Sequence, residues 1–153
     1  YFTEQWVGSD GQFGPDLLWH ARNVLIGSLC NWSAAVFEWN LASDAWCGPH
    51  TAGGEARCVG ALTIGDGISR NVAYYVIAHA AKFVRPGSVR IFSRADAPLH
   101  SVAFLTPEGQ IVLLVLNAAD QARSFSIAFR DRHAEVRLPA AALLSCVWPA
   151  AAT

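Results

Sequence analysis

The chain has 153 residues, a net charge of −1 at pH 7, 53% hydrophobic and 15% charged residues, and six Trp. This is the composition of a folded chain with a sizeable core, and it excludes a basic nucleic-acid-binding surface or an acidic tail. The longest apolar run, Ile111 to Leu116, is strand-sized and too short to span a membrane.

Tyr stands first and no Met occurs, so the sequence is expected to be a portion of a longer or processed chain. The opening run Tyr1-Phe2-Thr3-Glu4-Gln5-Trp6 reads as a strand, followed at once by a Gly/Asp-rich loop, Val7 to Gly14. A carboxylate at the end of such a strand is a candidate catalytic group, because barrel folds place their chemistry where strands end.

Pro15 and Asp16 suit the first turn of a helix. Leu17, Ala21, Val24 and Leu25 then give that helix one apolar face, which fades near Cys30-Asn31. Ser33 to Trp39 is apolar without alternation, as in a parallel strand buried on both faces. The first forty residues therefore read as a βαβ unit.

Leu41 to about Ser69 is Gly-rich and aperiodic, which predicts a long functional loop. Cys47 and Cys58 bracket its centre, and a disulfide between them would close the loop in an oxidising compartment. Cys30 and Cys146, in apolar surroundings, are expected to be buried thiols. No cysteine spacing matches a zinc site. Asn71 is placed to cap a second helix, whose stripe is Val72, Tyr75, Val76, His79, Ala80 and Phe83 and which Pro86-Gly87 stop.

From Gly87 the pattern changes to period two. Val89/Ile91, Val102/Phe104, Phe125/Ile127/Phe129 and Val136/Leu138 alternate with polar residues, and Ile111-Leu116 reads as a central strand. Short antiparallel strands at this spacing predict a β-sandwich. The fold class is α/β plus all-β. A βαβα piece (1–86) precedes an antiparallel sandwich (87–149) and a tail (150–153). Two parallel strands with two helices cannot close a barrel, so the first piece reads as the last two βα units of a (β/α)8 barrel.

Five segments together resemble glycoside hydrolase family 30, the glucosylceramidases and endo-β-1,6-glucanases. They are Phe2-Thr3-Glu4, Glu38-Trp39-Asn40-Leu41-Ala42, Gly48-Pro49-His50-Thr51, Arg70 to Tyr75, and Lys82 to Ser88. The likeness runs from Tyr1 to about Trp148, and it implies the C-terminal part of a (β/α)8 barrel with its β-sandwich.

It also implies a retaining β-glucosidase mechanism with Glu4 as nucleophile and Trp39 lining the sugar pocket. Gln5, Trp6, Trp46 and His50 are further candidates for substrate contact, and no cofactor or metal is expected. The acid/base Glu of the family precedes a Pro, and no Asn-Glu-Pro occurs here, so that residue is expected outside this chain. Glu38 is expected to be a neighbour that positions the site, and Trp19, Trp32 and Trp148 to be packing residues.

The implied substrate is a carbohydrate or glycolipid β-glucoside, of the glucosylceramidase type first and an endo-β-1,6-glucan second. The expected partner is the remainder of the barrel or a second copy. A secreted, periplasmic or lysosome-like compartment is expected. A reading from another class remains: a non-catalytic β-sandwich module for binding or structure.

Overall fold

The computed structural model describes residues 2–151, with the side chains of residues 2–4 outside the described set. The chain divides into two compact units, Tyr1–Lys82 and Phe83–Thr153.

In the first unit, β1 (Phe2–Gly8) and β2 (Ala35–Trp39) pair in parallel, with Glu4 opposite Phe37, Gln5 opposite Glu38 and Trp6 opposite Trp39. The connection between them is one helical run. It starts as α1 (Phe13–Trp19), widens into a π-helical segment (His20–Gly27) and ends in α2 (Ser28–Cys30). The helix begins two residues before the expected start, and Pro15 still falls in the first turn, where a missing N–H costs nothing.

The anticipated apolar face is the buried one: Ala21, Val24 and Leu25 are at most 4% exposed. Cys30 is exposed, against expectation. It stands at the last position of the helical run, where the chain turns out toward Asn31 and Trp32. The wide π turn brings Arg22 O within 2.8 Å of where a Cβ at Gly27 would stand.

The long loop is far more structured than its aperiodic sequence suggests. β3 (Ala42–Ser43), β5 (Leu62–Ile64) and β6 (Ile68–Arg70) form a small sheet, and β4 (Cys58–Val59) pairs antiparallel with the end of β1. Residues 60–62 lace onto 40–43: Ala61 N–H donates to Asn40 O at 2.7 Å, Leu62 N–H to Leu41 O at 3.0 Å and Gly60 N–H to Ser43 Oγ at 3.0 Å.

Helix α3 (Val72–Ala81) follows, buried through Val72, Ala73 and Val76. Asn71 occupies the cap position, but its side chain does not cap. It donates instead to Gly60 O and Thr63 Oγ1, both at 2.8 Å, tying the helix start to the loop.

The second unit is the sandwich read from the period-two pattern. A four-stranded antiparallel sheet runs in the order β12 (Ala142–Pro149), β9 (Gln110–Asn117), β8 (Leu99–Leu105), β7 (Val89–Ile91). A two-stranded ribbon, β10 (Arg123–Phe129) with β11 (Arg132–Leu138), forms the other layer.

Between them Ala103, Leu113, Val115 and Leu138 make a core lined by Ile91, Phe125, Ile127 and Trp148. β9 is the central strand, buried from Ile111 to Asn117. Asn117 is wholly buried and fully used. Its amide donates to Gln121 O, Leu138 O and Pro139 O, and its Oδ1 accepts from Ala119 N–H. Among the described residues no helix is long and apolar enough to cross a membrane.

Candidate functional site

Strand alternation decides which residues share a face. In a parallel pair, register partners project to the same side and neighbours along a strand to opposite sides. Positions 4 and 6 of β1 and positions 37 and 39 of β2 therefore form one face. The Glu4 side chain itself lies outside the described residues. Phe37 and Trp39 are 52% and 53% exposed, so this face is open.

Gln5 and Glu38 belong to the other face, toward the helices. The Gln5 carbonyl oxygen accepts from the Trp6 backbone N–H at 3.0 Å. By alternation Gln5 lies on the face of β1 opposite that of position 4.

On that helix side His20 and Glu38 meet. The His20 Nδ1–H donates to Glu38 Oε1 at 2.8 Å, with side chains 7% and 2% exposed. Glu38 Oε2 has no partner among the described residues. The Glu38 side chain is thus buried and held by the helix behind the Trp6–Trp39 pair. The π-helical segment begins at His20, so the local widening of the helix accompanies the contact.

The loop residues are arranged by Asp44. Its Oδ1 accepts from the backbone N–H groups of Trp46 and Gly48, both at 2.8 Å, which sets the turn carrying Trp46. Trp46 is 81% exposed. His50 is exposed as well, with Nδ1 3.3 Å from Thr51 O.

Cys47 and Cys58 are separate thiols, so the anticipated disulfide is not formed. Cys47 sits in the Asp44 turn at φ 62°, whereas Cys58 is committed to the β4–β1 pairing. Burial pushes the Cys58 thiol up, and the charges of Glu55 and Cys47 add to the shift.

Trp32, expected to pack, is 77% exposed, and Trp19 is half exposed with its ring edge-on to His20 at 5.1 Å. Trp148 does pack, edge-on to Phe129 at 5.7 Å.

Arg57 escaped the sequence reading. It lies over the Trp6 ring, 5.8 Å from the centroid, and pairs with Glu55 and Asp10. The signal was an Arg two residues after a Glu, opposite the Asp of the first loop, and only the β4–β1 pairing brings these together. An open cleft of about 330 Å³ is walled by Gln5, Trp6, Asp10, Asp16, Trp19 and His20 at this end of β1. Among the described residues no group of three or more His, Cys, Asp or Glu is arranged to hold a metal ion.

Comparison with known proteins adds an independent observation. Residues 87–146 match the glycosyl hydrolase family 30 beta sandwich domain. The endo-1,6-beta-D-glucanase neg1 of Aspergillus fumigatus is 34% identical over 126 residues, covering 76% of this chain and 25% of that protein. Putative glucosylceramidase 2 of Caenorhabditis elegans is 32% identical over 105 residues, covering 66% of this chain and 20% of that protein.

Among solved structures, the endo-beta1,6-glucanase BT3312 superposes with a TM-score of 0.88 at 30% identity, over 97% of this chain and 35% of that one. The chain spans about a quarter of the Aspergillus protein and a fifth of the nematode one.

Proposed function

Because the chain belongs to glycoside hydrolase family 30, we propose that it carries the nucleophile of a retaining β-glucoside hydrolase whose acid/base residue lies elsewhere in the protein. The observation that supports this reading is the β1–β2 register, in which position 4 lies on the same side as Trp6 and Trp39, two residues before the point where the parallel pairing ends. Strand ends of this kind are where barrel enzymes hold reacting groups.

In the proposed reaction the Glu4 carboxylate attacks the anomeric carbon and the bond to the leaving oxygen breaks. A carboxylic acid about 5–5.5 Å away protonates that oxygen. Water, deprotonated by the same group, then hydrolyses the glycosyl ester and restores Glu4. Trp39 offers an indole face to the apolar side of a sugar ring, and Trp6, with Arg57 over its ring, borders the same face. Trp46 and His50, on the loop, contact the leaving group. Gln5 acts only through the Trp6 backbone that it holds.

The favoured substrate is a β-1,6-linked glucan, since the sequence and structural likenesses to endo-1,6-glucanases support it together. Glucosylceramide-type lipids are the second reading, supported by the likeness to the nematode protein.

The chain by itself is expected to hydrolyse neither, because it lacks the acid. The test is to label the complete gene product with an activated 2-deoxy-2-fluoro-β-glucoside and map the modified peptide. Glu4 should carry the label, and Glu4→Gln should abolish turnover without altering the circular dichroism spectrum. A label on another carboxylate sinks the assignment, and absence of both labelling and turnover favours a non-catalytic module.

A further inference from the structure

The Arg57 cluster lies over the Trp6 ring and is absorbed by nothing in the proposed mechanism. Its guanidinium grips Glu55 with two parallel bonds, Nε to Oε1 at 2.9 Å and Nη2 to Oε2 at 3.0 Å, and reaches Asp10 Oδ2 with Nη1 at 3.4 Å. The Arg57 backbone joins in: its N–H donates to Glu55 Oε1 at 2.9 Å, and its carbonyl accepts from Ser9 N–H at 2.8 Å. The strand pairs Val7–Val59 and Gly8–Cys58 continue this seam. The planar fork is therefore held from two loops and laid over Trp6.

The three side chains are 55%, 40% and 69% exposed for Arg57, Glu55 and Asp10. Ion pairs this exposed contribute little to stability. What the arrangement does is aim a guanidinium. Arg has five N–H donors, of which three are committed to the carboxylates, so two remain beside the indole. A ring capped by a cation, next to uncommitted donors, suits a polyol whose hydroxyls accept from them.

We propose that Arg57 is a specificity-determining residue that donates to the hydroxyls of a neutral sugar unit on the leaving-group side of the site, with Glu55 and Asp10 holding its guanidinium in place. The inference rests on the β-glucan hydrolase reading above. The local charge decides the class of sugar. One guanidinium faces two carboxylates, so the cluster is net negative and repels an acidic sugar while leaving hydroxyl recognition intact.

The test compares wild type, Arg57→Ala and Arg57→Lys in the complete gene product on two substrates, 4-nitrophenyl β-glucoside and a linear β-1,6-gluco-oligosaccharide. Arg57→Ala should raise KM for the oligosaccharide about tenfold, the scale of a hydrogen bond from a charged donor, and leave kcat within about twofold. The nitrophenyl substrate, with no sugar in its leaving group, should be unaffected. Arg57→Lys should recover only part of the loss, because an ammonium lacks the fork.

An oligosaccharide ending in a glucuronic acid should be a poorer wild-type substrate than the neutral one, and Glu55→Gln should narrow that gap. Equal losses on both substrates, or none on either, overturn the assignment. If Arg57→Ala lowers the thermal midpoint, Arg57→Lys supplies the KM comparison in its place. A wild type that hydrolyses neither substrate overturns the hydrolase reading and the inference with it, an outcome distinct from a variant that fails beside an active wild type.

Discussion

His20 and Glu38 meet across 2.8 Å in the interior of the first unit, with only 7% and 2% of their side chains exposed. They come from a π-helical segment and from the strand that ends in Trp39, 18 residues apart in sequence. The contact anchors the end of β2 from behind and leaves the other side of the strand to the candidate site. Its consequence for stability is large, because a buried carboxylate that loses its donor has no solvent to replace it.

His20→Ala is accordingly expected to destabilise the chain by about 3 kcal/mol, read as a lowered urea midpoint. His20→Gln keeps a donor near Glu38 and should cost less. The double variant His20→Leu/Glu38→Leu removes both polar groups and should recover most of the loss. Equal midpoints for His20→Ala and wild type would show that the pair holds nothing.

Gly60 packs against the chain that follows β2. A Cβ there would lie 2.6 Å from the Ala42 carbonyl carbon and 2.6 Å from Asn40 Oδ1, and backbone cannot step aside as a side chain can. Gly60→Ala should therefore cost about 1–3 kcal/mol by overpacking. It should also loosen the loop 40–43, visible as faster amide exchange at Ala61 and Leu62, whose N–H groups bond to Asn40 and Leu41. Gly53→Asn is the control: Gly53 has φ +76°, a conformation Asn tolerates, and nothing lies within 4 Å of its Cβ position.

Trp39 is 53% exposed on the open face, so its removal opens no core cavity. In the complete gene product Trp39→Ala should raise KM for a β-glucoside about tenfold, corresponding to roughly 1.4 kcal/mol of lost ring contact. The thermal midpoint should change little. A large fall in the midpoint with KM unchanged would make Trp39 a packing residue.

His79, half-buried on α3, has its pKa lowered below the usual value by burial. The sign follows from proton counting. Below the unfolded-state pKa the unfolded chain binds a proton that the folded chain resists, so stability falls as pH drops through this window and levels off below the folded pKa. His79→Gln should remove that part of the pH dependence between about pH 6.5 and the folded value. Urea midpoints measured at intervals across this range check it, and identical slopes for the two proteins would refute it.

The periodic elements were legible in the sequence. The buried set Ala21-Val24-Leu25 and the period-two strands after Gly87 reappear, because burial on one face imposes such spacings, although the first set sits on a π-helical segment and β2, read as buried on both faces, leaves Phe37 and Trp39 about half exposed. The cap position Asn71 and the turn Thr106–Gly109, with Gly109 at φ +73°, were equally local and equally visible.

The tertiary structure alone decided the rest. β3 and β4 are two residues long and β5 and β6 three, too short for any period, and they exist only through pairing with distant partners. The Gly65-Asp66-Gly67 turn between Ile64 and Ile68 was their one local trace. Which side Gln5 takes, how His20 finds Glu38 and why Arg57 lies over Trp6 all depend on register and long-range approach. Composition and spacing carry no record of these, because a side chain's neighbours across a sheet are chosen by the backbone hydrogen bonds of another strand.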